Sequence, residues 1–213
     1  IMGAFFIRYR WLTVALLVVV AFAVVFGIWS RWITADPLDA SLSMSPPGRV
    51  ETDVVVRLSC PHRLRLHLSS KTRAREDMRR LVGRYGTAEG IDIPLQWSFR
   101  DMAGQPVAWG KAENIGSDGF DAEGFYRTVS TSLPLPPDKY RLSAALTEEM
   151  AGFQDVSAQM SFRCHPKASA GWQTDLLFFG SFAWLLAWPI MAILALWLAA
   201  LALRDRGRAR AVR

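Results

Sequence analysis

The chain has 213 residues, 51% of them apolar, 12% aromatic and 21% charged, with nine tryptophans and a net charge of +6. That much charge excludes a chain wholly buried in lipid, and that much apolar surface excludes a disordered one. With only two cysteines, neither a disulfide-dense scaffold nor a four-cysteine metal site is available.

Residues 1–10 carry Arg8 and Arg10. Trp11 to Ser30 then run for twenty residues without a charge, and a helix needs ~20 such residues to cross a hydrocarbon layer of ~30 Å. A first transmembrane helix is expected at 11–30. The run is longer than the ~7–15 residues of a signal-peptide core and no A-x-A site follows closely, so it is read as a retained span. Ala23 and Gly27 form a small-xxx-small pair suited to close helix packing. Residues 31–48, with Asp36-Pro37 and Pro46-Pro47-Gly48 among Ser and Ala, read as a linker.

From residue 49 the pattern changes to alternation. Val54, Val56 and Leu58 share one face of a strand. Leu64, Leu66 and Leu68 alternate with Arg63, Arg65 and His67, and Leu95, Trp97 and Phe99 alternate with Gln96, Ser98 and Arg100. Further strands are expected within Val107–Ile115, Phe125–Ser132, Tyr140–Leu146 and Val156–Arg163, separated by turns at Asp101–Gly104, Gly116–Gly119 and Pro134–Asp138. Arg73–Val82 is expected to be a short helix stopped by Gly83. About seven short strands over residues 49–166 predict a mainly β fold, an immunoglobulin-like antiparallel β-sandwich with one short helix. Tyr140, after Pro136-Pro137-Asp138-Lys139, reads as a core-and-corner residue.

After residues 167–175, a second linker, Leu176 to Leu203 is uncharged for twenty-eight residues and predicts a second transmembrane helix at 176–203. It carries Ala183 with Ala187, Ala195 with Ala199, and Pro189, which removes a backbone donor. Residues 204–213 form a basic tail. Outside the spans, the two ends hold seven arginines and one acid, the whole excess of +6, while Arg31–Asp175 balances 18 cations against 18 acids. The positive-inside rule places both termini in the cytoplasm and the middle domain in the periplasm of a bacterial inner membrane. With the large domain on that side, nucleic acid is not an expected partner. Membrane lipid is, together with a protein in the membrane or periplasm.

Val50-Glu51-Thr52-Asp53-Val54, Arg80-Leu81-Val82-Gly83, Ile93-Pro94-Leu95 and Tyr140-Arg141-Leu142, in that order, resemble an uncharacterised proteobacterial cell-envelope domain. Its members are small periplasmic or lipoprotein-like β-sandwich proteins without known activity. The resemblance covers roughly residues 46–163 and implies no catalytic residues; here two spans flank the domain instead of a lipid anchor.

Three candidate features remain. Cys60 and Cys164 bracket the domain and are expected to pair in an oxidising compartment. Alternatively, Cys60-Pro61-His62 and Cys164-His165-Pro166 would gather two thiols and two imidazoles, a set able to hold zinc or copper(I). Within the domain, residues 57–84 hold nine Lys/Arg against two acids, whereas residues 85–162 hold five against eleven. Arg63, Arg65, Arg73, Arg75, Arg79, Arg80 and Arg84 are therefore candidates for docking an acidic partner, unless the two halves neutralise each other within the fold.

No G-x-S-x-G, phosphate-binding loop, H-E-x-x-H or S-x-x-K motif occurs. No cofactor is expected and no catalytic residue is assigned. The pattern reads as a non-enzymatic, protein-binding membrane protein, an accessory subunit of a larger complex. A membrane-anchored immunity-type protein that neutralises a periplasmic toxin is the second reading, and a metal-handling protein the third.

Overall fold

The computed structural model describes residues 9–83, 90–112, 117–120, 124–164 and 171–211. In chain order the elements are α1 (Arg10–Thr34), β1 (Asp39–Leu42), β2 (Arg49–Val56), β3 (His62–Ser69), α2 (Arg75–Val82), β4 (Leu95–Asp101), β5 (Pro106–Lys111), β6 (Ser117–Phe120), β7 (Phe125–Leu133), β8 (Asp138–Leu146), β9 (Ser157–Cys164) and α3 (Trp172–Ala211), with a 3-10 turn at Ala151–Phe153. Two units result: residues 1–33 with 172–213, and residues 34–171.

The first unit is a pair of long helices, both long and apolar enough to cross a membrane. At ~1.5 Å per residue the 25 residues of α1 extend ~37 Å. On α1 the less exposed residues Leu12, Leu16, Val19, Ala23, Phe26 and Ser30 recur at alternating steps of four and three. Leu177, Gly180, Trp184, Ala187, Met191, Leu194 and Leu198 do the same on α3. A mean step of 3.5 residues is the period of a left-handed coiled-coil seam. The helices run antiparallel: Tyr9 donates to Asp205 at 3.2 Å near one end, and the Trp184 indole donates to the Ala23 carbonyl at 2.9 Å further along. Small residues permit the approach, since a Cβ on Gly180 would overlap the Phe26 ring.

Of the residues expected to pack the spans, Ala23 and Ala187 lie on this seam, and Gly27 sits beside it against the Trp184 ring. Ala183, Ala195 and Ala199 are exposed in the helix pair, as is Pro189, through which α3 continues. A step of four taken alone does not follow a seam whose steps alternate between three and four, so the alanine spacing did not select it. Gly180→Leu is expected to separate the helices, and Trp184→Phe to weaken their pairing by about 1 kcal/mol, the scale of one interhelical hydrogen bond. Electron–electron distance measurements between spin labels at the exposed positions Val14 and Leu203 would read the separation.

The second unit is mainly β. A five-stranded antiparallel sheet in the order β1-β9-β3-β7-β6 faces a four-stranded antiparallel sheet in the order β2-β8-β4-β5. Alternation decides the inner faces. Leu64, Leu66 and Leu68 of β3, Met160 and Phe162 of β9, Leu95 and Phe99 of β4 and Leu142 of β8 are each fully buried. Phe99 and Phe162, from opposite sheets, meet at 5.0 Å between ring centroids. Each such side chain contributes ~1.5–3 kcal/mol of burial. Tyr140 is buried on β8, and its hydroxyl donates to the Pro136 carbonyl at 2.9 Å.

Helix α2 buries Met78 and Val82, four residues apart on one face. It stops at Gly83, whose φ of 85° is reached without strain only by glycine, and the Gly83 amide donates to the Arg79 carbonyl at 2.9 Å.

Beyond shifts of one or two residues at element ends, such as α2 starting at Arg75 and β8 at Asp138, four boundaries differ from the sequence reading. The linker 31–48 is not a linker: α1 continues to Thr34, Asp39–Leu42 pairs with β9, and Leu38, Leu42 and Met44 are buried. A four-residue edge strand contributes too few alternating side chains to stand out among prolines and serines. The turn expected at Gly116–Gly119 contains β6, paired with β7. Strand β5 ends at Lys111, before 113–116, which lie outside the described residues. Finally, α3 begins at Trp172 and runs to Ala211, taking in the end of the second linker and most of the basic tail.

Candidate functional site

The described members of the arginine set sit on three elements: β3, the loop after it, and α2. Arg63 and Arg65 lie half-buried on the outer face of β3. Arg63 stands opposite Arg163 of β9, a like-charge pairing that costs stability, and Arg163 is neutralised by Asp36 at 2.6 Å. Arg73 forks onto Asp155, its Nε at 2.8 Å from one carboxylate oxygen and its Nη2 at 2.5 Å. That guanidinium, with the Thr72 hydroxyl, holds the Asp155 carboxyl well below the usual carboxylate range. Arg75 lies over the Phe120 ring at 4.3 Å, and Arg79 reaches Glu76 at 3.8 Å within α2. Arg80 is exposed on α2, and Arg84 lies outside the described residues. The Arg73–Asp155 pair joins the basic stretch to the acidic one, so part of the charge asymmetry is neutralised internally.

The cysteines meet. Cys60 Sγ and Cys164 Sγ are bonded at 2.08 Å. Neither thiolate is then available to a metal. Of the proposed four ligands His62 alone remains among the described residues, since His165 lies outside them, and no cluster of three His, Cys, Asp or Glu occurs among the described residues. His62 stacks on Phe162 at 4.6 Å between centroids and 11° between planes. Its burial disfavours the imidazolium and lowers its pKa, against a smaller opposing effect from the Cys60 backbone. A base with a lowered folded pKa takes up its proton first in the unfolded chain. Stability is therefore expected to fall as pH drops below about 6.5, the unfolded value, and to level off below the folded one. His62→Leu should flatten that part of a denaturation-versus-pH series.

The outer face of the four-stranded sheet carries a feature with clearer shape. Strand β5 is an edge strand, and its side chains Val107 and Trp109 point outward. Trp109 is 70% exposed. Register places Trp109 beside Ser98, Ser98 beside Ser143, and Ser143 beside Glu51; the next row runs Lys111, Gln96, Ala145, Arg49. Ser98 and Ser143 in the middle of one row and Ala145 in the other leave a trough of 440 Å³, walled on one side by Trp109 and Lys111 and on the other by Arg49. Beneath it Trp97 packs so closely on Gly110 that a Cβ there would lie 2.8 Å from the ring. The combination is an aromatic wall, a shallow floor with hydroxyls, and cations at the rim. Trp and Arg are the residue types most enriched at the cores of protein–protein interfaces.

No family model matches this chain, and no curated protein matches it. Among solved structures, the crystal structure of a protein from Sulfurospirillum deleyianum is similar over 60% of this chain and 96% of its own length, with 12% identity and a TM-score of 0.49.

Two residues in this region had no role in the sequence reading. Trp109 is an aromatic at the polar parity of an edge strand, and that parity was its signal. Arg127 is a charge at the inward parity of β7, between Phe125 and Val129, and is 2% exposed. Its Nη1 donates to the Ile91 carbonyl at 2.6 Å and to the Val82 carbonyl, at the last residue of α2, at 3.4 Å. It borders a cleft of 320 Å³ shared with Asp92, Lys111, Thr147 and Glu148, a lining of mixed sign.

Proposed function

We propose that this is a non-enzymatic membrane protein whose sandwich binds another protein, as an accessory subunit of a larger membrane complex. The carrying observation is the trough beside Trp109. An exposed indole on an edge strand lowers solubility while it is uncovered, and the small side chains Ser98 and Ser143 next to it give a partner side chain somewhere to seat. The envelope-domain resemblance of residues 46–163 agrees with a periplasmic sandwich. So does the charge balance: with the helices antiparallel, the arginine-rich ends share one side, and by the positive-inside rule that side is cytoplasmic.

The sandwich is read as immunoglobulin-like. The Tyr140–Pro136 hydrogen bond supports this, since a tyrosine bonded to backbone a few residues upstream marks that fold. The arrangement β3-β7-β6 against β8-β4 supports it too, matching B-E-D against F-C. The outer positions differ: the last strand β9 lies beside β3, and the early strand β2 beside β8.

Trp109→Ala is expected to weaken association with the partner by about 2 kcal/mol or more, the loss typical of an aromatic hot spot, while leaving the fold intact. Mild-detergent purification of tagged full-length protein, with stoichiometry by mass spectrometry, checks it. A stoichiometric membrane partner lost on W109A supports the subunit reading, whereas a partner retained undiminished, or a protein that purifies alone, refutes it.

A further inference from the structure

We propose that the groove between α1 and α3 holds one anionic glycerophospholipid, its phosphate on Arg31 and an acyl chain along Phe26, Gly27, Phe182 and Leu185. This rests on the reading of both helices as membrane spans. The groove measures 530 Å³ and lies entirely within the helix pair. That volume is in the ~300–1,000 Å³ range of sites for small molecules. It exists because Gly27 and two serines, Ser30 and Ser181, occupy positions where larger side chains would close it.

The lining selects the occupant. Both serine hydroxyls donate to carbonyls of their own helices, Ser30 to Gly27 at 3.2 Å and Ser181 to Leu177 at 2.5 Å. The Trp184 indole is likewise engaged, on Ala23. With both hydroxyls and the indole N–H already bonded, the groove away from Arg31 offers water little to bind and offers a hydrocarbon chain five aromatic or aliphatic side chains. A chain lying there recovers dispersion contacts that an unfilled groove would forfeit.

Charge fixes the headgroup. Arg31 lines the groove near the C-terminus of α1, is exposed, and forms no ion pair among the described residues. Asp175, early in the facing helix, does not line the groove. An arginine at this end runs against the positive-inside rule, which gathers cations at the other. Its planar fork suits a phosphodiester, with two parallel N–H donors to two oxygens.

Native mass spectrometry of the full-length protein in detergent, with phosphatidylglycerol or phosphatidylcholine of equal chain length added, tests this. The wild type is expected to retain one phosphatidylglycerol and to prefer it over phosphatidylcholine. Arg31→Gln should lower that preference about fivefold, the effect of one basic residue near a membrane surface. Ser181→Phe, which fills the groove, should remove retention of both lipids. Arg10→Gln, at the opposite end of α1, should change neither. Far-UV circular dichroism verifies that each variant keeps its helices. Equal retention by wild type and R31Q, retention by S181F, or an equal loss in R10Q would overturn the proposal. Extraction from bacterial membranes by alkaline carbonate is a separate readout: release there would refute the spanning reading itself, whereas an embedded protein with no lipid preference refutes the lipid site alone.

Discussion

Replacing Cys60 and Cys164 by serine is expected to lower the unfolding free energy of the sandwich by about 4 kcal/mol. The bond spans 104 residues. Cross-linking a loop of that size removes denatured-state entropy worth up to ~4.7 kcal/mol, and measured native disulfides give typically ~2–4. Its position fits a large effect. Cys164 is the register partner of His62, two residues beyond Cys60, so the bond clamps the end of the β3–β9 ladder. Marginal domains have only ~5–15 kcal/mol in total. Chaotrope titrations of the full-length protein in detergent, followed by tryptophan fluorescence with and without reductant, give the number. Coincident midpoints for the wild type and the double serine variant would show that the bond does not restrain the unfolded chain.

The second large effect belongs to Arg127. Arg127→Ala is expected to cost about 4 kcal/mol, through a cavity in the core and through the loss of charge-assisted hydrogen bonds worth ~1.5–3 kcal/mol each. The carbonyls of Ile91 and Val82 would lose their partner. A helix end leaves its last carbonyls unpaired, and a cation there is doubly favourable, satisfying a hydrogen bond and the dipole. Arg127→Met, which keeps most of the volume, should cost about half as much. Burial already lowers the Arg127 pKa, with Asp92 acting in the opposite sense, so a neutral side chain also removes a desolvation cost. The same titrations measure both variants, and hydrogen exchange at Val82 and Gly83 would reveal whether α2 frays first. An Arg127→Ala variant as stable as wild type would mean that the two carbonyls find other donors.

What the sequence made legible follows from periodicity. Strands β3, β4, β8 and β9 alternate cleanly because each contributes several apolar side chains to a shared core, and both long helices stand out by length without charge. The short edge strands β1 and β6 were hidden because an edge strand of four residues shows barely one cycle of a two-residue period. The helix seam was hidden because its period departs from that of a straight helix by only a tenth of a residue per turn. Interaction features were hardest to see. The trough depends on which side chains lie side by side across four strands, at sequence distances of about eleven, forty-five and ninety residues. No local pattern encodes such a neighbourhood. The arginine cluster was prominent for the opposite reason, being close in sequence, and the fold distributes it over a strand, a loop and a helix.

The pairing of β1 with β9 has a kinetic consequence. When Asp39 aligns with Ser161 and Leu42 with Ala158, the first strand of the sandwich meets the last across about 120 residues of chain. Closing so long a loop costs more entropy than joining strands nearer in sequence, and the reward is a single four-residue ladder. The β1 edge is therefore expected to zip up after β3, β7 and β9 have met, and to be the first edge to open.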